Sequence, residues 1–303
     1  VETSKEASLV TPLPPDGYAA FDSGLVAAPS LSVSEPNPDN PPWGVATAML
    51  VWAGSILLLV FIPSLIILPY ILYGHSGAGF ENTGELLNDP VAVLLSVLST
   101  IPVHVLTLAL VWVVVTGLGK RPFWRTLGWS WSSDVGPWTS IFAAIVVLAA
   151  GGVLTWMVGG DATEIDQIVA SSTAARISIA LLATLTAPLV EETVYRGVLY
   201  SAFRRVTGMH WAVVIVASLF TLVHVYQYRH NLGVIAAISI FSLSLTFMRA
   251  YSGRLLPCYV MHLVFNGLQS LVIVFGPYMQ RGSGGEQKTA IIHTLTHLAQ
   301  NLS

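Results

Sequence analysis

The sequence predicts an all-α, polytopic membrane helix bundle of about seven transmembrane helices, and three observations carry that prediction. Of the 303 residues, 54% are hydrophobic and only 10% charged, with a mean hydropathy of +0.70; in soluble chains about 25% of residues are charged. Apolar runs of about 20 residues or more, enough to cross the hydrocarbon core of a bilayer, recur along the chain. Between them, basic residues collect in alternate loops.

Seven runs are expected as spans: residues 45–73, 90–118, 138–158, 177–203, 210–228, 232–250 and 255–279. The sixth is the shortest. Pro63, Pro102 and Pro188 fall inside runs, where each removes a backbone donor and is expected to kink its helix. Residues 1–42, rich in Pro, Ser, Asp and Glu, have no sustained apolar period and read as a disordered tail. Residues 43–280 form the membrane domain. Within residues 281–303, Ile291, Leu295, Leu298 and Leu302 make an amphipathic stripe. Between the third and fourth runs, Ile165, Ile168 and Val169 follow the candidate caps Asp161 and Thr163. That pattern predicts a short helix lying in the membrane interface.

Lys120, Arg121, Arg125, Arg204 and Arg205 lie in loops on one side, where Arg249 and Arg254 border a further loop, whereas Glu81, Glu85, Asp89, Asp161, Glu164 and Asp166 lie opposite, with Arg176 and Arg229 as exceptions. The positive-inside rule makes the basic side cytoplasmic, with the N-terminus inside and the C-terminus outside. A net charge of −3 gives no reason to expect a nucleic-acid partner. Cys258, the single cysteine, reads as a small buried hydrophobe.

The fourth run carries Glu191, Glu192 and Arg196 near its middle. Three uncompensated charges at the bilayer centre cost about 8–10 kcal/mol on insertion scales, and the run's large apolar residues return only about 3–6 kcal/mol. This helix therefore faces protein. Glu192 and Arg196, four residues apart, pair along one face, while Glu191 points about 100° away and is left as a spare carboxylate. Such a group suits general-base chemistry. The fifth run places His224 one turn after Phe220, and the seventh places His262 and Asn266 on one face. Together these groups offer a base, imidazoles that orient water or bind a metal, and oxyanion donors. His104, alone in the second run, reads as a helix-packing hydrogen-bond partner. His293 and His297 have chelating spacing but lack the Glu of HExxH, and read as an exposed helix face.

The ordered motifs EExxxR (Glu191, Glu192, Arg196), FxxxH (Phe220, His224) and HxxxN (His262, Asn266) resemble those of the CAAX prenyl protease and bacteriocin-processing family. The resemblance spans roughly residues 90–280. It implies an intramembrane endopeptidase acting on membrane-associated peptides or lipidated proteins, including the C-termini of prenylated CAAX-type substrates. It implies that Glu191 activates water with His224, that His262 and Asn266 stabilise the oxyanion, and that Glu192 and Arg196 shape the site. It also points to the plasma membrane of a bacterium. Either no cofactor is required, or a zinc ion takes His224, His262 and a carboxylate. Ligand chemistry leaves both open. Two rival readings of the buried charges remain: a proton- or ion-coupled transporter, and a non-catalytic membrane scaffold.

One count by residue number runs against the site. His262 lies about 7 residues from the cytoplasmic end of its run and Glu191 about twice as far, which at 1.5 Å per residue separates them by about 10 Å in depth.

Overall fold

The computed structural model describes residues 37–74, 86 and 88–282. Among these there is no strand. Six helices are long and apolar enough to cross a membrane: α1 (Val45–Gly74), α2 (Pro90–Thr116), α4 (Pro137–Val158), α6 (Thr173–Thr207), α8 (Leu232–Ser252) and α9 (Leu256–Gly282). A seventh, α7 (Met209–Val225), is apolar but has 17 residues. Two short helices, α3 (Phe123–Thr126) and α5 (Glu164–Ser171), lie in the connections. The protein is a multi-pass integral membrane protein, and the seven runs all fall on helices. The shortest is the fifth, not the sixth, because the chain leaves the helix at Tyr226 and turns before α8.

Polar residues in the sequence set the helix ends. Asp89 caps α2 by accepting from the Val91 and Ala92 N–H groups, and Pro90 occupies the first turn, where no donor is needed. At the other end Gly117 turns left-handed with φ 59°. There the Arg121 side chain donates to the Val114 and Val115 carbonyls, so a residue expected only to orient the chain also satisfies orphan acceptors. Thr163 caps α5 in a reciprocal box with Asp166. Asp161 has another role: its N–H donates to the His230 carbonyl and its own carbonyl accepts from Asn231 Nδ2. Gly160, with φ 154°, lies so close to Asn231 that a Cβ would overlap that side chain. Ile165 and Val169 are buried in the core and Ile168 packs against it, so the apolar stripe of α5 faces the bundle.

Inside α6 the regular helix is interrupted twice, by wider π turns at Leu182–Thr186 and Glu192–Leu199. The first immediately precedes Pro188, where a regular helix would lose a donor and clash.

Residues 39–43, around the expected end of the tail, are bonded to the bundle. Arg204 donates to Asp39 Oδ2, Arg205 to the Pro41 carbonyl, and the buried Trp43 indole to the Val198 carbonyl. Arg249, expected at the border of a loop, is wholly buried near the end of α8. Its Nη1 lies 2.9 Å from Asp39 Oδ1, close as charges though not aligned as a hydrogen bond, while its Nε donates to the Arg196 carbonyl. The tail before residue 37, and the C-terminal stripe with His293 and His297, lie outside the described residues.

Removing one partner of a buried ion pair leaves the other charge uncompensated. Asp39→Ala is therefore expected to destabilise the protein by about 3 kcal/mol, the lower end of the usual range because Asp39 is partly exposed. Thermal unfolding in detergent reads this; an unchanged midpoint would show that the segment around Asp39 contributes nothing.

Candidate active site

Glu192 and Arg196 lie on the buried face of α6, and neither side chain is exposed. Arg196 Nη1 donates to Glu192 Oε1 at 3.1 Å, Nε donates to Thr246 Oγ1, and Nη2 donates to both the carbonyl and hydroxyl of Ser242. The fork is thus held between α6 and α8, with its charge paired at 3.1 Å. Glu192 Oε1 also accepts from His262 Nδ1 at 2.7 Å. Because the carboxylate accepts, Nδ1 carries the proton, and Nε2 is turned toward Glu191 Oε2, 3.7 Å away.

That distance answers the depth count: α9 brings His262 level with Glu191. The EExxxR spacing does what helical geometry demands. Glu192 points inward to Arg196, and Glu191, with 28% of its side chain exposed, faces a cavity.

The cavity, of about 160 Å³, lies among α1, α2, α6 and α7. Glu191, His224, His104, Thr107, Tyr195 and Gln227 contribute its polar lining. His224 Nδ1 is 2.8 Å from the Phe220 carbonyl. A carbonyl only accepts, so Nδ1 bears the hydrogen and Nε2 keeps a lone pair. Phe220 serves in three further contacts. Its ring stacks on His224 at 4.7 Å, meets His262 edge-on at 6.4 Å, and lies under the Arg196 guanidinium at 4.8 Å. The FxxxH spacing therefore orients an imidazole through both the carbonyl and the ring of its phenylalanine.

Of the six candidate site residues, Glu191 and His224 line the cavity, and Glu192, Arg196, His262 and Asn266 do not. Asn266 Nδ2 donates to the Ala183 carbonyl at 2.8 Å. In the π turn, Leu182 accepts from the N–H five residues on, at Ala187. The same step for Ala183 reaches Pro188, which has no N–H. Asn266 supplies the missing donor. One of the two Asn266 amide hydrogens is thereby committed to the backbone of α6.

Among the described residues no three His, Cys, Asp or Glu side chains converge at metal-ligand spacing. His262 bonds Glu192 through Nδ1 and His224 bonds the Phe220 carbonyl through Nδ1, so each imidazole keeps Nε2 as its free ring nitrogen.

Sequence reasoning missed Ser242, Thr246 and Arg249, which recur at intervals of four and three along α8 and face Arg196. That polar stripe was legible. His104 does pack as expected, with Nδ1 2.8 Å from Thr186 Oγ1, but it also lines the cavity.

The bundle and its buried charges define a polytopic membrane protein with a polar site enclosed by helices. Residues 173–268 match the family of Rce1-like type II CAAX prenyl endopeptidases. The matched segment runs from the start of α6 into α9 and contains all seven motif residues. It supports intramembrane proteolysis as the general activity and membrane-associated peptides as the general class of substrate. No curated protein matches the chain, and no solved structure does.

An unsatisfied buried carbonyl costs about 1–3 kcal/mol. Asn266→Ala is expected to cost that much in unfolding free energy, and less in a Pro188→Ala background, where an N–H returns to the helix. Equal losses in both backgrounds would dissociate Asn266 from the proline.

Proposed function

We propose that the protein is an intramembrane endopeptidase in which Glu191 acts as general base on a water molecule. The observation that carries this reading is the division of labour between adjacent carboxylates. Glu192 is consumed by Arg196 and His262, whereas Glu191 faces a cavity that also holds His224. Water bound between the Glu191 carboxylate and His224 Nε2 loses a proton to Glu191 as its oxygen adds to the scissile carbonyl. The carbonyl π electrons move onto oxygen, and collapse of that intermediate expels the amine, which takes up the proton held by Glu191.

His262 is a positioning residue, fixed through Nδ1 by Glu192 and directing Nε2 toward Glu191. Arg196 fixes Glu192 in turn. No step requires a metal. Substrate approaches from the bilayer past α1, whose Leu59 is half exposed and lines the cavity. A transporter would also use buried Glu and His, but nothing in the arrangement favours it over hydrolysis.

The test is cleavage by purified protein of a panel of prenylated and unprenylated membrane-anchored peptides. Glu191→Gln and His224→Ala are each expected to lower kcat by about 10²- to 10⁴-fold, the usual worth of acid–base catalysis, with folding intact. Chelator is expected to leave cleavage unchanged. Loss with chelator that zinc restores would overturn the metal-free mechanism. An inactive parent, with proton or ion flux in liposomes abolished by the same substitutions, would replace the protease with a transporter.

A further inference from the structure

Hydrolysis consumes a water molecule, and much of the cavity around Glu191 has apolar walls, including Ile56, Leu59, Val103, Val190, Val194 and Val223. A second cavity, of about 310 Å³, lies where α5 meets the turn between α7 and α8. Its lining is polar and includes Thr163, Glu164, Gln167, Gln227, Tyr228 and Arg229. Gln167 and Arg229 are exposed at its rim, where Arg229 Nη1 stands 3.7 Å from Glu164 Oε1. Both residues lie outside the helices long and apolar enough to cross a membrane.

The two cavities share one wall residue, Gln227. The chain continues helically past His224, with the Tyr228 N–H donating to the His224 carbonyl at 3.1 Å, so Gln227 stands about one turn beyond the imidazole. Tyr228 supplies an independent observation. It is fully buried and lines the outer cavity, yet its hydroxyl has no hydrogen-bond partner among the described residues. Buried hydroxyls in folded proteins are satisfied by protein or by ordered water. Burial pushes its pKa up, and Asp166, Glu191 and Glu164 push it further. The phenol therefore stays protonated.

We infer that the polar chamber beneath α5 is the water inlet of the active site, with Gln227 as the single side chain between it and the Glu191–His224 cavity and Tyr228 as a hydrogen-bonding station for the incoming water. The catalytic consequence rests on the protease reading; the inlet itself rests on the geometry alone.

The test introduces Gln227→Cys and, separately, Gln167→Cys into a Cys258→Ala background, and treats the full chain in proteoliposomes with a charged, membrane-impermeant methanethiosulfonate. Both positions are expected to be modified, and modification at position 227 is expected to lower peptide cleavage at least tenfold relative to the same protein untreated. Tyr228→Phe is expected to lower kcat several-fold with KM unchanged. Modification at position 167 but none at 227 would overturn the inlet, since the chamber would then stop short of Gln227. Modification at 227 without loss of cleavage would overturn it too, since water would then arrive elsewhere. Modification at 227 in a protein whose parent cleaves no peptide would keep the inlet and remove the protease reading.

Discussion

The carboxylate of Glu192 constrains the molecule more than any other group. It is wholly buried, as is Arg196, and a buried charge without a partner costs several kcal/mol. Its Oε1 is met by Arg196 from the same helix and by His262 from α9, and Arg196 is held in turn by Ser242 and Thr246 of α8. Three helices are thereby fixed around one oxygen atom. Mutual attraction of helices is weak in lipid because no hydrophobic effect operates between them. Hydrogen bonds of this kind then decide which faces meet, and that the same groups set the direction of His262 Nε2 is a direct result.

The π turns of α6 belong to the same constraint. A helix that carries Pro188 in mid-membrane must find partners for the carbonyls the proline leaves unbonded, since the bilayer offers no water. α6 widens into a π turn before the proline, and Asn266 reaches across from α9 to the Ala183 carbonyl that the proline leaves without a donor. One turn before Asn266 on α9, His262 bonds Glu192. The HxxxN spacing therefore clamps α9 to α6 at two heights, one on each side of Pro188. Glu191 lies between those heights, and the clamp gives it a fixed place from which to face the cavity.

Most of the fold was legible because length and hydropathy determine what crosses a bilayer, and all seven runs fell on helices. The pairing of Glu192 with Arg196 and the separate aim of Glu191 followed from helical spacing alone. Two things were not legible for a physical reason. Depth along the membrane cannot be counted across different helices, so His262 was set about 10 Å from Glu191, although the two lie 3.7 Å apart. The role of Asn266 depends on a local widening of α6 that residue spacing does not encode. Other misses were avoidable: Ser242, Thr246 and Arg249 recur at helical intervals within an apolar run, the same signal that singled out Glu192 and Arg196.

Arg249 shows how a charge count and a structural role compete for one residue. Read as a residue bordering a loop, it adds to the basic excess that orients the chain. In the structure it is buried, pairs with Asp39 ahead of α1, and donates through Nε to the Arg196 carbonyl. Asp39 is also bonded by Arg204 at the end of α6. The segment entering α1, the end of α6 and the end of α8 therefore meet through one acidic side chain. Because Arg249 bonds the backbone of the residue that holds Glu192, the entrance to α1 is mechanically continuous with the site. Asp39 and Glu191 are joined by an unbroken series of contacts through Arg249, Arg196, Glu192 and His262.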